Sequence, residues 1–193
     1  QIAFRGFSRP DRRIMATRLL RRMLCGSGCS RLNLLLREKL GIVYSVDASI
    51  SAYEETGSFA VELSTAPENL SLAVTEVLRE TRRMAFEAAA PDEIQRVRMG
   101  YYFDLEYSRD SNYEMQVRYG WGELMGLVRS IEEDQREAAA LDAEALRTTA
   151  EALFAPHNLN LVAVGPWKTA DRRKVEKIVA DYAKEWPGKK GPE

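Results

Sequence analysis

Histidine is almost missing from this chain: His157 is the only one in 193 residues, and Cys25 and Cys29 are the only cysteines. A structural zinc takes four Cys/His ligands and a hydrolytic zinc takes three protein ligands plus an open position for water. Three such residues cannot build the first. His157, alone between Pro156 and an apolar run, reads as a turn or helix-end residue rather than a ligand. Two thiols four apart around Gly26-Ser27-Gly28 make no disulfide framework in a chain of this length, and read as two small, half-buried turn residues. No apolar run approaches the ~18 residues of a membrane span. The net charge is −1, so bulk electrostatics calls for neither a nucleic-acid partner nor an anionic membrane surface. There is no low-complexity tract and no internal repeat. No targeting segment is visible, and Gln1 already stands inside a strand-like alternation. A piece of a longer polypeptide is therefore expected, and the compartment is left unassigned.

What is present is an ordinary globular mixture, 45% hydrophobic and 30% charged, long enough to bury roughly 70% of its unfolded surface in one domain over 1–186. The polar 187–193 tail is expected to fray. Gln1 to Phe7 alternates as a strand. Ser8 and Pro10-Asp11 supply start signals for a helix to about Leu24, with Met15, Leu19 and Met23 as its apolar stripe. Ser30 is placed to cap a second helix that buries Leu32, Leu35 and Leu36 and stops at Gly41. Ile42 to Ala52 then has period two, with Ile42, Tyr44, Val46, Ala48 and Ile50 on one face, and Phe59, Val61 and Leu63 return after Glu54-Glu55-Thr56-Gly57 as a hairpin.

Helical signals follow. One helix opens at Pro67, another at Pro91-Asp92-Glu93, and a third covers Tyr113–Leu127 with two glycines around Trp121. Two more run from Ser130 to Ala140 and from Leu141 to Phe154, the latter capped by Asp142. Asn158 to Gly165 reads as a strand and Asp171 to Trp186 as a last amphipathic helix. Strands and helices segregated in this order indicate an α+β fold, a mainly antiparallel sheet of about four or more strands with helices on one face.

Two features invite functional readings that the pattern does not support. Arg12, Arg13, Arg18, Arg21 and Arg22 could form a phosphate-binding face, but no aromatics are interleaved with them and the total charge is neutral. A solvated face paired with acids elsewhere explains them better. Gly26-x-Gly28 follows a helix, whereas a dinucleotide loop follows a strand.

The run Gly26-Ser27-Gly28-Cys29-Ser30-Arg31-Leu32, continued by Arg37-Glu38-Lys39, Gly41 and Tyr44-Ser45, resembles the signature of the C-terminal half-domain of insulinase, pitrilysin and mitochondrial-processing-peptidase-type zinc peptidases. Weaker pieces are Pro91-Asp92-Glu93-Ile94 and Leu161 to Pro166, so the similarity extends over about Gln1 to Trp167. Cys29, itself small, departs from the family's usual small hydroxyl or similar residue at that turn. The resemblance implies a half-domain that closes with a catalytic half around an unfolded peptide. The zinc is expected in that other half, on an H-x-x-E-H motif this chain lacks, so the chain alone is expected to bind no metal and hydrolyse nothing. Arg37 and Tyr44, seven residues apart, match the family's substrate-facing pair, and their donors suit a peptide carbonyl. A scaffold that kept the fold and lost proteolysis is the alternative.

Overall fold

The computed structural model describes residues 1–187; most of the expected frayed tail, 188–193, lies outside the described residues. Four strands form one antiparallel sheet in the order β2-β3-β1-β4. They are β1 (Ile2–Gly6), β2 (Val43–Ala52), β3 (Gly57–Thr65) and β4 (Leu159–Leu161). Period-two alternation buries Ile2, Phe4, Val46, Ala48, Phe59 and Val61 toward the helices, while Arg5, Asp47, Glu62 and Asn160 face solvent. The α+β reading with helices on one face holds.

The helices are α1 (Ile14–Cys25), α2 (Leu70–Phe86), α3 (Pro91–Ser108), α4 (Asn112–Met115), α5 (Gly122–Leu124), α6 (Ile131–Ala140), α7 (Ala143–Leu153) and α8 (Thr169–Lys184). α1, α2 and α7 pack directly on the sheet. At the centre the ring of Phe154, just past α7, meets Phe4 at 5.1 Å and Phe59 at 5.3 Å, both edge to face. α8 closes the layer over α2, where the buried Tyr182 hydroxyl donates to the Phe154 carbonyl at 2.7 Å.

Several local expectations are corrected. α1 begins at Ile14, not at Ser8. Ser8 to Asp11 is a turn of its own, in which the Asp11 carboxylate accepts from the Arg13 amide at 2.8 Å. Ser30 does not cap the following helix with its side chain. Its hydroxyl donates to the Ser27 carbonyl at 2.6 Å and accepts from Asn33 Nδ2 at 3.0 Å. That helix is π-helical over Asn33–Lys39, with the Leu40 amide reaching back to the Leu35 carbonyl. The stop at Gly41 is as expected, in the left-handed region at φ 61°.

The segment read as one helix over Tyr113–Leu127 is instead α4, a π-helical stretch at Gln116–Trp121, and α5. Its two glycines differ in reason: a Cβ on Gly122 would press on Val128 Cα at 3.1 Å, whereas one on Gly120, within the π-helical stretch, would make only an ordinary contact with Gln116 Cγ at 4.0 Å. The cysteines also differ. Cys25 is buried at the end of α1, Cys29 is exposed, and both are free thiols. Finally, β4 covers only Leu159–Leu161 of the expected Asn158–Gly165 strand.

Candidate functional site

The candidate site is built around one chain reversal. The π-helix carries Arg37 to Gly41; the Ile42 amide then donates to the Leu36 carbonyl at 3.0 Å, and β2 leaves in the opposite sense. Thr65, at the end of β3, donates its hydroxyl to the Ile42 carbonyl at 2.6 Å and pins the turn to the sheet.

Just past the turn the ladder slips. Val43 pairs with Thr65 and Ser45 pairs with Ser64, so Tyr44 is an extra residue with no partner on β3. A bulge of this kind re-aims a side chain and interrupts alternation. The correction to the sequence reading is direct: Tyr44 does not share the inner face with Val46 and Ala48. Val43 takes the buried position, and Tyr44 is 90% exposed. No hydrogen bond joins its hydroxyl to another described residue. Arg37 is exposed too, and its nearest acid is its neighbour Glu38 at 3.6 Å. The two side chains thus flank one reversal, each with donors directed to solvent, and no hydrogen bond joins them.

The glycine-serine loop that precedes the π-helix is anchored through Arg31. Arg31 donates from Nε and Nη2 to the two Glu93 oxygens, each at 2.7 Å, and so ties the loop to the first turn of α3. These bonds hold the Arg31 guanidinium above its ordinary pKa, against the opposing effect of its burial. Glu80 of α2, itself buried, receives Arg83 at 2.8 Å and stands 3.9 Å from Arg31.

The arginine face of α1 is largely committed within the fold. Arg13 pairs with Asp11, Arg22 with Asp104, and Arg21 donates to the Ala48 carbonyl at 2.6 Å. Arg18 joins a cluster that sequence reasoning missed. Asp134 of α6 is 1% exposed and accepts from Arg118 at 2.9 Å and Arg129 at 2.8 Å, with Arg18 at 3.6 Å. Burial pushes this carboxyl up, but the hydrogen bonds from Arg118 and Arg129 outweigh it and hold the group below its usual range. Arg129 lies five residues before Asp134, but Arg18 and Arg118 reach it only through the fold, so no local pattern could have revealed the cluster.

His157 sits exposed in a short 3-10 turn, Pro156–Asn158. Among the described residues no group of three or more His, Cys, Asp and Glu side chains is placed to hold a metal ion. The donor set of a catalytic zinc does not fit this chain. No helix among the described residues is long and apolar enough to cross a membrane.

A family model described as the peptidase M16 inactive domain matches residues 1–101, which include the glycine-serine loop, Arg37, the bulge and Tyr44. The chain belongs to that family. An uncharacterized zinc protease of Rickettsia bellii is 36% identical to the M16 inactive domain described here over 98 residues, 51% of this chain and 24% of that protein. The matched part therefore spans about a quarter of that relative's length. The fold is shared with a peptidase M16 inactive domain from Pseudomonas fluorescens, at a TM-score of 0.73 and 20% identity, over 86% of this chain and 42% of that one. It is also shared with the inactive peptidase domain of a Bordetella parapertussis protein, at a TM-score of 0.71 and 12% identity, over 87% and 93% of the two chains.

One further surface belongs to the description. Met99, Phe103 and Tyr107 recur every fourth residue along α3 and are all exposed, opposite the buried Tyr101 and Leu105. α3 is apolar on two faces.

Proposed function

We propose that residues 1–186 form a single non-catalytic half-domain of an insulinase-type zinc endopeptidase. It walls part of the chamber that holds an unfolded peptide, and Arg37 and Tyr44 donate to a carbonyl of that peptide. The catalytic zinc belongs to the other half, whether on the same polypeptide or a separate chain. The observation that carries the reading is the bulge: it spends a ladder position to turn Tyr44 out of the core, and leaves its hydroxyl free of any described partner. A tyrosine there for packing would face inward with Val46. Arg37, free of any strong ion pair at the same reversal, supplies a second donor. The two-faced α3 supports a second half-domain as covering partner.

The chemistry is that of preorganised donors. A phenol O–H and a guanidinium N–H fixed on rigid elements strengthen their hydrogen bonds as negative charge develops on the carbonyl oxygen. The test is Tyr44→Phe in the domain reconstituted with its catalytic half. Loss of one such donor typically lowers turnover about 10²–10³-fold, while an exposed substitution leaves stability within about 0.5 kcal/mol. Turnover within about twofold of the parent, or an unfolded variant, would show the residue to be structural.

A further inference from the structure

β2 is an edge strand: in the order β2-β3-β1-β4 its residues, Val43–Ala52, pair with β3 alone. Ala48 shows which peptide groups turn to the free side. Its N–H donates to Asp47 Oδ1 at 2.8 Å and its carbonyl accepts from Arg21 Nε at 2.6 Å, so neither serves Val61, its partner on β3. Antiparallel pairing alternates, so Val46, Ile50 and Ala52 turn outward with Ala48, while Asp47 and Ser49 turn to β3. In keeping with this phase, the Ala52 carbonyl accepts from Arg9 Nε at 3.4 Å. Val46 and Ile50 have no hydrogen-bond partner on the free side among the described residues.

Unpaired edge groups are a template for another strand. Here the template is self-complementary. Set antiparallel to its own copy about Ala48, β2 places Val46 opposite Ile50 and Asp47 opposite Ser49. Each outward pair, Ala48 with Ala48 and Val46 with Ile50, can then exchange both of its hydrogen bonds. The buried Val46 and the half-buried Ile50 meet on the inner face, and no like charges meet on the outer one. The residue at the centre of this pairing is the one that is closed. Asp47 Oδ1 also lies 3.9 Å from Arg21 Nη2, so the two side chains together clasp both peptide groups of Ala48.

We propose that Arg21 and Asp47 guard the β2 edge against pairing with the β2 edge of a second copy of this chain. Both clasps would stand at the two-fold axis of that pairing. Each copy would have to give up its Arg21 and Asp47 bonds before its Ala48 could pair. The same register brings Ala52 of the second strand opposite Tyr44, so an unguarded edge would draw another chain alongside that tyrosine. The guard acts in the domain by itself, and its test is independent of any role of Tyr44 in catalysis.

The experiment measures amide hydrogen exchange at Val46 and Ile50 from about 10 μM to about 1 mM protein, in the parent chain and in the double variant Arg21→Met, Asp47→Ala. Methionine keeps an apolar stem like that of arginine and removes its donors. In the parent, exchange at both amides should be fast and independent of concentration. In the variant it should slow at least about tenfold as concentration rises. A role confined to stability has a different signature: exchange in the variant would be faster or unchanged at every concentration, and that result overturns the proposal. So does equal slowing with concentration in the parent, because the edge would then pair in spite of the clasp.

Discussion

Asp134→Asn should destabilise the domain by about 2–4 kcal/mol. The change keeps the size of the side chain and removes its charge. Each hydrogen bond to a charged group is worth about 1.5–3 kcal/mol, and Asp134 accepts two directly, from Arg118 and Arg129. The full sum is not lost, since asparagine keeps one acceptor oxygen. In addition the Arg18 and Arg129 side chains are 41% and 44% exposed and can rehydrate. The result stays near the lower end of the cost of breaking a buried pair. With a urea m-value of about 2 kcal/mol/M, the midpoint of unfolding should fall by about 1–2 M.

The pH dependence has a definite sign. The folded carboxyl is held below its ordinary value, whereas the unfolded one titrates near ~3.9. The stabilisation is therefore complete above roughly pH 5 and is lost as pH falls through the folded-state value. The gap between parent and Asp134→Asn should be constant from neutral pH down to roughly pH 5 and close below it. A gap under about 0.5 kcal/mol at neutral pH, or one that widens below pH 4, would refute the reasoning.

Gly41→Ala should cost about 1–2 kcal/mol, measured by the same denaturation. The cost comes from the positive φ alone, because a Cβ there meets nothing within 4 Å; a change under about 0.3 kcal/mol would count against a left-handed turn. The native protein should react with one equivalent of a thiol reagent at pH 8, at the exposed Cys29, and with a second only on unfolding. Burial pushes the Cys25 thiol up to about 12, so two fast equivalents would contradict its position.

Much of the architecture was legible because it is written in local chemistry. The Asp142 cap accepts from the Ala145 amide at 2.8 Å, Pro91 opens α3, and Gly41 occupies the left-handed stop its position called for. Each depends on backbone groups within a few residues. The hairpin of β2 and β3 was visible for the same reason, since period-two burial and a short polar turn are short-range properties.

Tertiary structure decided everything that depends on which backbone lies opposite. Alternation alone put Tyr44 on the same face as Val46 and Ala48, and only the pairing with β3, where Val43 and Ser45 meet consecutive residues, separated it from them. The apolar run around Val162 and Val164 has strand composition throughout, yet only Leu159–Leu161 form β4, paired with Phe4, Ala3 and Ile2 of β1. The helix after Ser30 closes in the wider π register at the chain reversal pinned by Thr65. The carboxylate of Asp134 acquires its three guanidiniums from α1, the π-helical stretch and the loop just before α6, and two of these, Arg18 and Arg118, are remote from it in sequence. The amino-acid order thus determined the elements, their caps and their apolar faces, since these follow from interactions a few residues long. The projection of Tyr44, the length of β4 and the Asp134 cluster are properties of register and packing, and exist only once distant segments are brought together.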